Sequence, residues 1–509
     1  MGEVKFSAVV LATSFRDEKV QLVKDASGQP LVIFTGQTGI CYSLTSEKVL
    51  RALRSHAKQH AQRLNKNRIE EMIDELDAMA YEEGDTVVTH YRVAPYLTGY
   101  IYNLGASRFL QVTSDHVEVT TMLPKGVYFV ETTNMLSAPD PEPKLDVKAL
   151  LGWFNCSNAD KVLLLAWLTF VVATPKAAKI STPILVVRAP AGSGKTFMCS
   201  QVIRQLVDPS AVASQALPKQ VKDIAISGQN NHVLIYDNLR QINNELSDVL
   251  CQIATGSAIS GRKLYTDDRE VCLELRGALV LNGIHNFVSE SDLVSRCVNI
   301  SLNPISSDQR RSETELSAKF DEELPSLMFT LHTIASRILA VKNNVEVSYK
   351  NRMADFSVWV AGLEAVLGQK PGAIQQAYRA NVEQAKVAGI VDDSLFVSLS
   401  AFAKHYSKGN PWHGTPHALF NALTSQSTVS IGTDMPKNPS AMSRRLTTIL
   451  DALASDGVYA KRDRVTNRSY DVWFESKCVK NAVDVASLPT TQSEETHLGE
   501  EVDMEELLT

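Results

Sequence analysis

The 509-residue sequence predicts an α/β multidomain chain. Three observations carry that reading. A β-branched run, "STPILVVRAP", leads straight into "AGSGKT" and then into a helical pattern. Strand-like segments mixed with amphipathic helices precede this core. Helices dominate after it, and the last patterned stretch closes on a pair of strands.

Composition narrows the class. Hydrophobic residues make up 44% and charged residues 21%, enough to build real cores over most of the length. A net charge of −6 excludes a wholly basic nucleic-acid binder but leaves room for local basic surfaces. The seven cysteines are scattered, form no CxxC, and predict a reduced, cytosolic chain without a zinc site. The start, "MGEVKFSAVVLATSFRDEKV", lacks the apolar core and cleavage site of a signal peptide. The longest apolar stretch, "VLLLAWLTFVVA" (162–173), is 12 residues, too short for a bilayer and suited to a buried helix. The expectation is a cytoplasmic protein with no membrane partner.

Residues 1–136 read as a small α+β N-terminal domain. Residues 5–12 and 30–42 alternate like strands. "SEKVLRALRSHAKQHAQRL" (46–64) is a basic amphipathic helix with Ser46 as its N-cap, and an acidic helix follows over 67–82. Its Lys48, Arg51, Arg54, Lys58 and Arg63 read by default as a solvated face. His56 and His60 stand at i, i+4 with no third ligand evident, so no zinc site is expected there. Strand-like runs from "TVVTHYRVA" to "VYFVETT" complete the domain. "SAPDPEPKLD" (137–146), with three prolines and four charges, reads as a linker. Residues 147–305 read as the P-loop core, 306–390 as a helical subdomain, and 391–478 as a compact unit of three helices and a hairpin. The acidic tail, 479–509, is expected to be disordered in isolation.

The loop is Pro190, Ala191, Gly192, Ser193, Gly194, Lys195 and Thr196. Ala189-x4-Gly194-Lys195-Thr196 has the spacing of a phosphate loop, with Ala in place of the first Gly. Small residues let backbone N–H groups surround phosphates. Lys195 is placed to reach β/γ oxygens, Thr196 to ligate Mg²⁺, and the following helix to offer its positive end. ATP and Mg²⁺ are therefore the expected ligands. The strand "NHVLIYDNLR" ends in Asp237, which would hold the metal's water shell beside Thr196. Next stands Asn238, where many ATPases have a catalytic Glu. Either Asn238 only orients the attacking water, or a carboxylate such as Glu245 or Asp248 is the base. A third strand ends in Asn282, a candidate sensor of the γ-phosphate or the water. Fourteen residues later Arg296 is a candidate finger into a neighbouring subunit's site. "RKLYTDDREVCLEL" (262–275) reads as a β-hairpin turning at Asp267-Asp268, which would carry Arg262, Lys263 and Arg269 towards the axis of a ring.

The series A-x4-GKT, strand-DN, "LCQIATGSAISGRKLY", "RGALVLNG" and "VSRCVNI" resembles the superfamily-3 AAA+ helicases. It is most similar to the branch with poxvirus- and phage-type primase-helicases and to ATP-binding proteins of prophages, phage satellites and other mobile elements. The resemblance covers about residues 45–475, with specific motifs in 180–303. It implies an AAA+ core with a helical bundle, a homo-hexameric ring, ATP between subunits, Arg296 acting in trans, and the hairpin following one DNA strand through the pore. No primase domain is recognisable, so a primase or loader would be a separate partner.

In the last unit, "SLFVSLSAFAKHY", "TPHALFNALTS" and "SAMSRRLTTILDALASDG" read as three helices. Thr415 and Ser440 are expected caps, and Gly457 the stop. "VYAKRDRVTNRSYDVWF" reads as two strands, and the order matches a C-terminal winged helix. Arg444 and Arg445 on its third helix, with Lys461, Arg462, Arg464 and Arg468 in the wing, are candidate contacts to duplex or origin DNA. The function expected is an ATP-dependent DNA helicase replicating a mobile element. The alternative is an ATP-switched DNA-binding protein, for origin recognition or defence, that does not unwind.

Overall fold

The computed structural model describes residues 7–37, 39–190, 192–262, 270–284, 286–391, 394–425, 435–455, 457–462 and 469–475. Ala191, Lys263, Arg269, Arg464, Arg468 and the acidic tail lie outside the described residues. The described residues divide into two compact units, one of residues up to 287 and 295–380, the other of 288–294 and 381–475.

The first unit opens on α1 (Ala8–Lys19), not on a strand. Residues 5–12 alternate over a short window, but Ala8, Leu11, Ala12 and Phe15 form a buried stripe of helical period that only a longer window shows. Ser7 caps it by accepting the Val10 N–H. Then come β1 (Val20–Asp25), β2 (Pro30–Phe34), β3 (Ile40–Ser43), α2 (Glu47–Gln59) and α3 (Lys66–Glu83). Ser46 caps α2 as expected. Seven short strands follow: β4 (Asp85–Val87), β5 (Thr89–His90), β6 (Val93–Tyr96), β7 (Gly99–Gly105), β8 (Arg108–Val112), β9 (Val117–Thr120) and β10 (Tyr128–Val130). They build a mixed sheet, β4-β1-β2-β3-β10-β5, and an antiparallel one, β6-β7-β8-β9. Residues 137–146 carry no regular element, but Ala138 donates its N–H to Leu104 O and Glu142 to Pro325 O.

The core starts with α4 (Val147–Gly152) and α5 (Asn158–Ala173). α5 is buried on every side from Leu163 to Val172, as a 12-residue apolar run demands. Beyond β11 (Ile184–Arg188), three segments run end to end: α6 (Lys195–Phe197), a π-helical stretch (Met198–Ile203) and α7 (Arg204–Val207). Then come α8 (Val221–Asn230), β12 (Val233–Leu239), α9 (Asn244–Thr255), β13 (Ser257–Arg262), β14 (Glu270–Leu275), β15 (Ala278–Gly283), α10 (Ser291–Val294) and β16 (Cys297–Ser301). The sheet order is β12-β15-β11-β16, with every pair parallel. Its strands are near-continuous apolar runs because both faces are covered.

The hairpin starts earlier than its sequence suggests. Ser257 pairs with Leu275 and Arg262 with Glu270, so Arg262 lies six residues into the first strand instead of beginning it. The cause is Gly256, whose left-handed backbone (φ 79°) ends α9 and releases an extended chain five residues sooner. The expected turn at Asp267-Asp268 lies outside the described residues.

A buried ion pair ties the N-terminal sheets to the core. Arg92, 1% exposed, gives Nε to Asp208 Oδ1 at 2.9 Å. Its remaining donors reach the carbonyls of Asn103, Leu136 and Pro209. Asp208 also accepts from the His232 and Val233 N–H groups and from Arg204. With these partners the pair meets the hydrogen-bonding demand of burial.

The unit ends in α11 (Glu313–Val341), α12 (Ala354–Val366) and α13 (Ala373–Val391), which crosses the boundary at residue 380. Ser312 and Glu315 form a capping box at α11. By length and composition α11 could cross a membrane, but 61% of its apolar window is buried inside the protein, the pattern of a core helix.

The second unit adds α14 (Ser394–Ala403), β17 (Trp412–Gly414), α15 (Pro416–Ser425), α16 (Pro439–Ser455), β18 (Val458–Arg462) and β19 (Tyr470–Phe474). Three helices cover a small antiparallel sheet ordered β17-β19-β18, with Leu399, Leu419, Leu446, Leu453 and Val472 in the core. Thr415 caps α15, with Pro416 as its first helical residue. The cap of α16 is Asn438 instead of Ser440: its Oδ1 accepts the Ala441 N–H at 2.8 Å, and Pro439 opens the helix. A proline at the first position lacks the N–H that the helix leaves unpaired, so the cap sits just before it.

Candidate functional site

β11, β12 and β15 all end at one edge of the parallel sheet, where such folds place ligands. The loop leaves β11 there. Gly192 (φ 80°) and Gly194 (φ 74°) take left-handed conformations that side chains resist, and Gly194 is the N-cap of α6. Ala189 at the first position is buried and donates its N–H to Gly283 O. Ser193 is 2% exposed, with no hydrogen-bond partner for its hydroxyl among the described residues.

A cleft of about 1120 Å³ opens over this edge. Pro190, Gly192, Ser193, Gly194, Lys195 and Thr196 line it, facing Asp237 and Asn238 at the end of β12. The Thr196 hydroxyl and Asp237 carboxylate therefore share one space, an oxygen pair suited to a hard divalent cation. Neither Glu245 nor Asp248 is among the lining residues; both lie on α9.

Asn238 has a left-handed backbone (φ 59°), at a bulge where the β12–β15 register shifts. Asn is among the few side chains that tolerate this region. Its N–H donates to Asn282 Oδ1 at 3.2 Å. Asn282 is fully buried behind Asn238 and is not part of the lining. Its Oδ1 ties the end of β15 to the end of β12.

Sequence reasoning missed two sides of the cleft. Trp153, just after α4, lines one wall; its Nε1 donates to Glu323 Oε2 at 2.9 Å, with Lys319 Nζ 5.5 Å from its ring centroid and Phe320 edge-on. Arg310 approaches the loop so closely that a methyl added to Gly192 would lie 3.0 Å from Nη2. The only sequence signal was the pair Arg310-Arg311 just before the Ser312 capping box.

Arg296 lies at the other edge. Ile184 pairs with Cys297 and Arg188 with Ser301, so Arg296 sits at the start of β11 while the loop leaves its end. Four residues of strand, about 13 Å, separate the two edges. Arg296 is 8% exposed and shares no cleft with its own chain's loop.

Burial drives the Cys199 thiol under the loop up to about 12 and the Cys297 thiol higher still, so both are inert packing groups. In the second unit Arg444 is exposed and Arg445 half-buried on α16, and Lys461 and Arg462 are exposed on β18. Lys461 Nζ lies 5.9 Å from the Trp473 ring centroid and Arg462 Cζ 5.7 Å from that of Tyr470.

Residues 147–387 match the family model described as the actinomycete integrative conjugative element replication protein. No curated protein matches the chain. Among solved structures, the C-terminal region of NrS-1 is similar at 10% identity and a TM-score of 0.39, covering 92% of this chain and 100% of that one. JCV helicase follows at 14% identity and TM-score 0.21, covering 45% and 67%. Drosophila ORC bound to DNA gives 12% identity and TM-score 0.18, covering 68% and 93%.

Proposed function

We propose that this chain is an ATP-dependent DNA helicase that serves replication of a mobile element, working as a ring of identical subunits. The observation that carries the reading is the split between the two edges of the parallel sheet. The loop, Asp237 and Asn238 meet in one cleft, while Arg296, buried at the opposite edge, does not line it, so any part it takes in hydrolysis is played on a second copy. The match of residues 147–387 to replication proteins supports the biological role.

In this reading ATP lies in the cleft with its triphosphate on the loop. Backbone N–H groups of residues 192–196 and the Lys195 ammonium hold the phosphate oxygens. Thr196 and Asp237 hold a Mg²⁺ ion, which when bound neutralises charge on the β- and γ-oxygens. Arg310 adds a cation from the same chain. A water attacks the γ-phosphorus, the bond to the bridging oxygen of ADP breaks, and phosphate leaves. Asn238 orients that water, since an amide takes no proton. Glu313 is left to take the proton: Asp237 is given to the ion, and Glu323 holds Trp153. Arg296 of a neighbouring copy stabilises the transition-state charge. The β13–β14 hairpin follows one strand with Arg262, Lys263 and Arg269. The second unit acts as a winged helix that grips duplex DNA through Arg444, Arg445, Lys461, Arg462, Arg464 and Arg468.

The test is strand displacement on a forked duplex, with electron microscopy in ATP analogue and DNA. Unwinding that disappears in Lys195→Ala, together with closed rings, supports the proposal. ATP-dependent DNA binding without displacement would replace it with the switch reading.

A further inference from the structure

The sequence offers His56 and His60 on α2 without a third ligand; the fold supplies one from α1. Glu18 Oε2 lies 3.9 Å from His56 Nδ1, and Glu18 Oε1 lies 3.9 Å from His60 Nε2. One ligand atom from each residue falls within 4.8 Å of the other two. Among the described residues this is the one group of three or more His, Cys, Asp or Glu with that spacing.

The hydrogen bonding around the group fixes its chemistry. Ser14 spends its single proton on Glu18 Oε1, at 2.9 Å. His56 Nε2, 3.2 Å from Ser14 Oγ, must then be the donor of that pair. The Nδ1 of the neutral ring is left with a bare lone pair. It is buried, in a residue 1% exposed, has no hydrogen-bond partner, and faces the carboxylate. Two acceptors facing each other with no proton between them are unfavourable unless a cation joins them. Protonating His56 does not solve this, because 3.9 Å is too long for a hydrogen bond. The titratable groups nearby are His60, Glu18 itself and Lys19, whose Nζ stands 3.9 Å from Glu18 Oε2. Lys19 is half-exposed and can swing into water.

We propose that Glu18, His56 and His60 bind one divalent transition-metal ion of the zinc class, with a fourth position open to water. Two imidazoles and a carboxylate suit such an ion, at about 2.0–2.2 Å from each ligand. Closing on it needs only a small inward move of Glu18 and His60, both partly exposed. Ser14 is the outer partner that fixes the His56 tautomer, a common feature of metal-bound histidines. The ion joins α1 to the C-terminal end of α2.

The test uses the full-length, tag-free chain, stripped with chelator and free of nucleotide, titrated with Co²⁺ and then Zn²⁺. The expected result is one ion per chain, visible d–d bands without a thiolate charge-transfer band, and displacement of Co²⁺ by Zn²⁺. Glu18→Gln and His60→Gln change partly exposed residues and should keep the metal-free melting temperature, yet each should weaken binding about tenfold or more. His56→Gln is avoided as the lead variant because that site is buried. No stoichiometric binding, binding unchanged in both variants, or a thiolate band that puts the ion on cysteines overturns the proposal.

Discussion

The backbone N–H of Asn238 donates to the Oδ1 of Asn282, linking the ends of two neighbouring parallel strands at the mouth of the cleft. Position 238 is held in a left-handed conformation, so restoring a glutamate there strains the backbone as well as changing the chemistry. Asn238→Glu and Asn238→Ala are each expected to lose about 1 kcal/mol relative to Asn238→Gly, read from urea unfolding. Equal stability of the three would remove the strain argument.

Asn282→Ala removes the acceptor and opens a buried gap. A loss of about 1–3 kcal/mol is expected, with a fall in ATP turnover as β12 loosens. Unchanged turnover alongside the stability loss would separate the residue from hydrolysis.

Arg310 and Glu313 give a second, kinetic prediction for the cleft. Arg310→Ala should raise the KM for ATP about tenfold, the effect of losing about 1.4 kcal/mol of phosphate contact. Glu313→Gln should lower kcat and leave nucleotide affinity nearly unchanged, because only the proton acceptor is lost. Fluorescent-nucleotide binding measured beside steady-state hydrolysis tells the two apart.

Acid should unfold the first unit through its buried histidines. Burial holds His90 and His232 down at about 4 and His332 at about 3, against about 6.5 in an unfolded chain. Between those values the unfolded state binds protons that the native state refuses, so stability rises with pH. It is fully present above pH ~6.5 and falls as pH drops from ~6.5 toward ~4, by up to about 1.4 kcal/mol per pH unit for each histidine. Urea midpoints at pH 7.5, 6.5 and 5.5 should show the decline; a flat series contradicts it.

Breaking the Arg92–Asp208 pair from one side leaves a buried charge alone. Arg92→Ala or Asp208→Ala should cost about 3–5 kcal/mol, read by thermal or chemical unfolding. A mild effect would mean that water enters the space.

On the second unit, Arg444→Ala and Lys461→Ala should each weaken duplex binding on all sequences and flatten the salt dependence by about one ion per lost phosphate contact. Variants with an unchanged salt slope would point to a protein-binding use of this surface.

The loop and its strands were legible because their signals are local. A β-branched strand, Gly192 and GKT must be contiguous to work, and the strand ends at Asp237 and Asn282 follow from apolar runs. What escaped was assembled by tertiary structure. Trp153 and Arg310 reach the cleft from α4 and from the start of α11, far from the motif. Glu18 meets His56 and His60 across a separation that no spacing rule covers. β17, "WHG", is too short to show any period and forms only because β19 offers it an edge. The first helix was misread because eight residues cannot separate a period of two from one of 3.6.

The helix that begins at Lys195 ends at Val207, and Asp208 follows it directly. One end of this rod opens on the cleft and the other is gripped by Arg92 of the N-terminal domain, about 20 Å away at 1.5 Å per residue. Between them lies a π-helical stretch, a wider winding that is rare and found most often at functional sites. A displacement at the loop end therefore has a continuous path to the N-terminal sheets within one chain, tying the domain that carries none of the cleft's motifs to the cleft through a single rod.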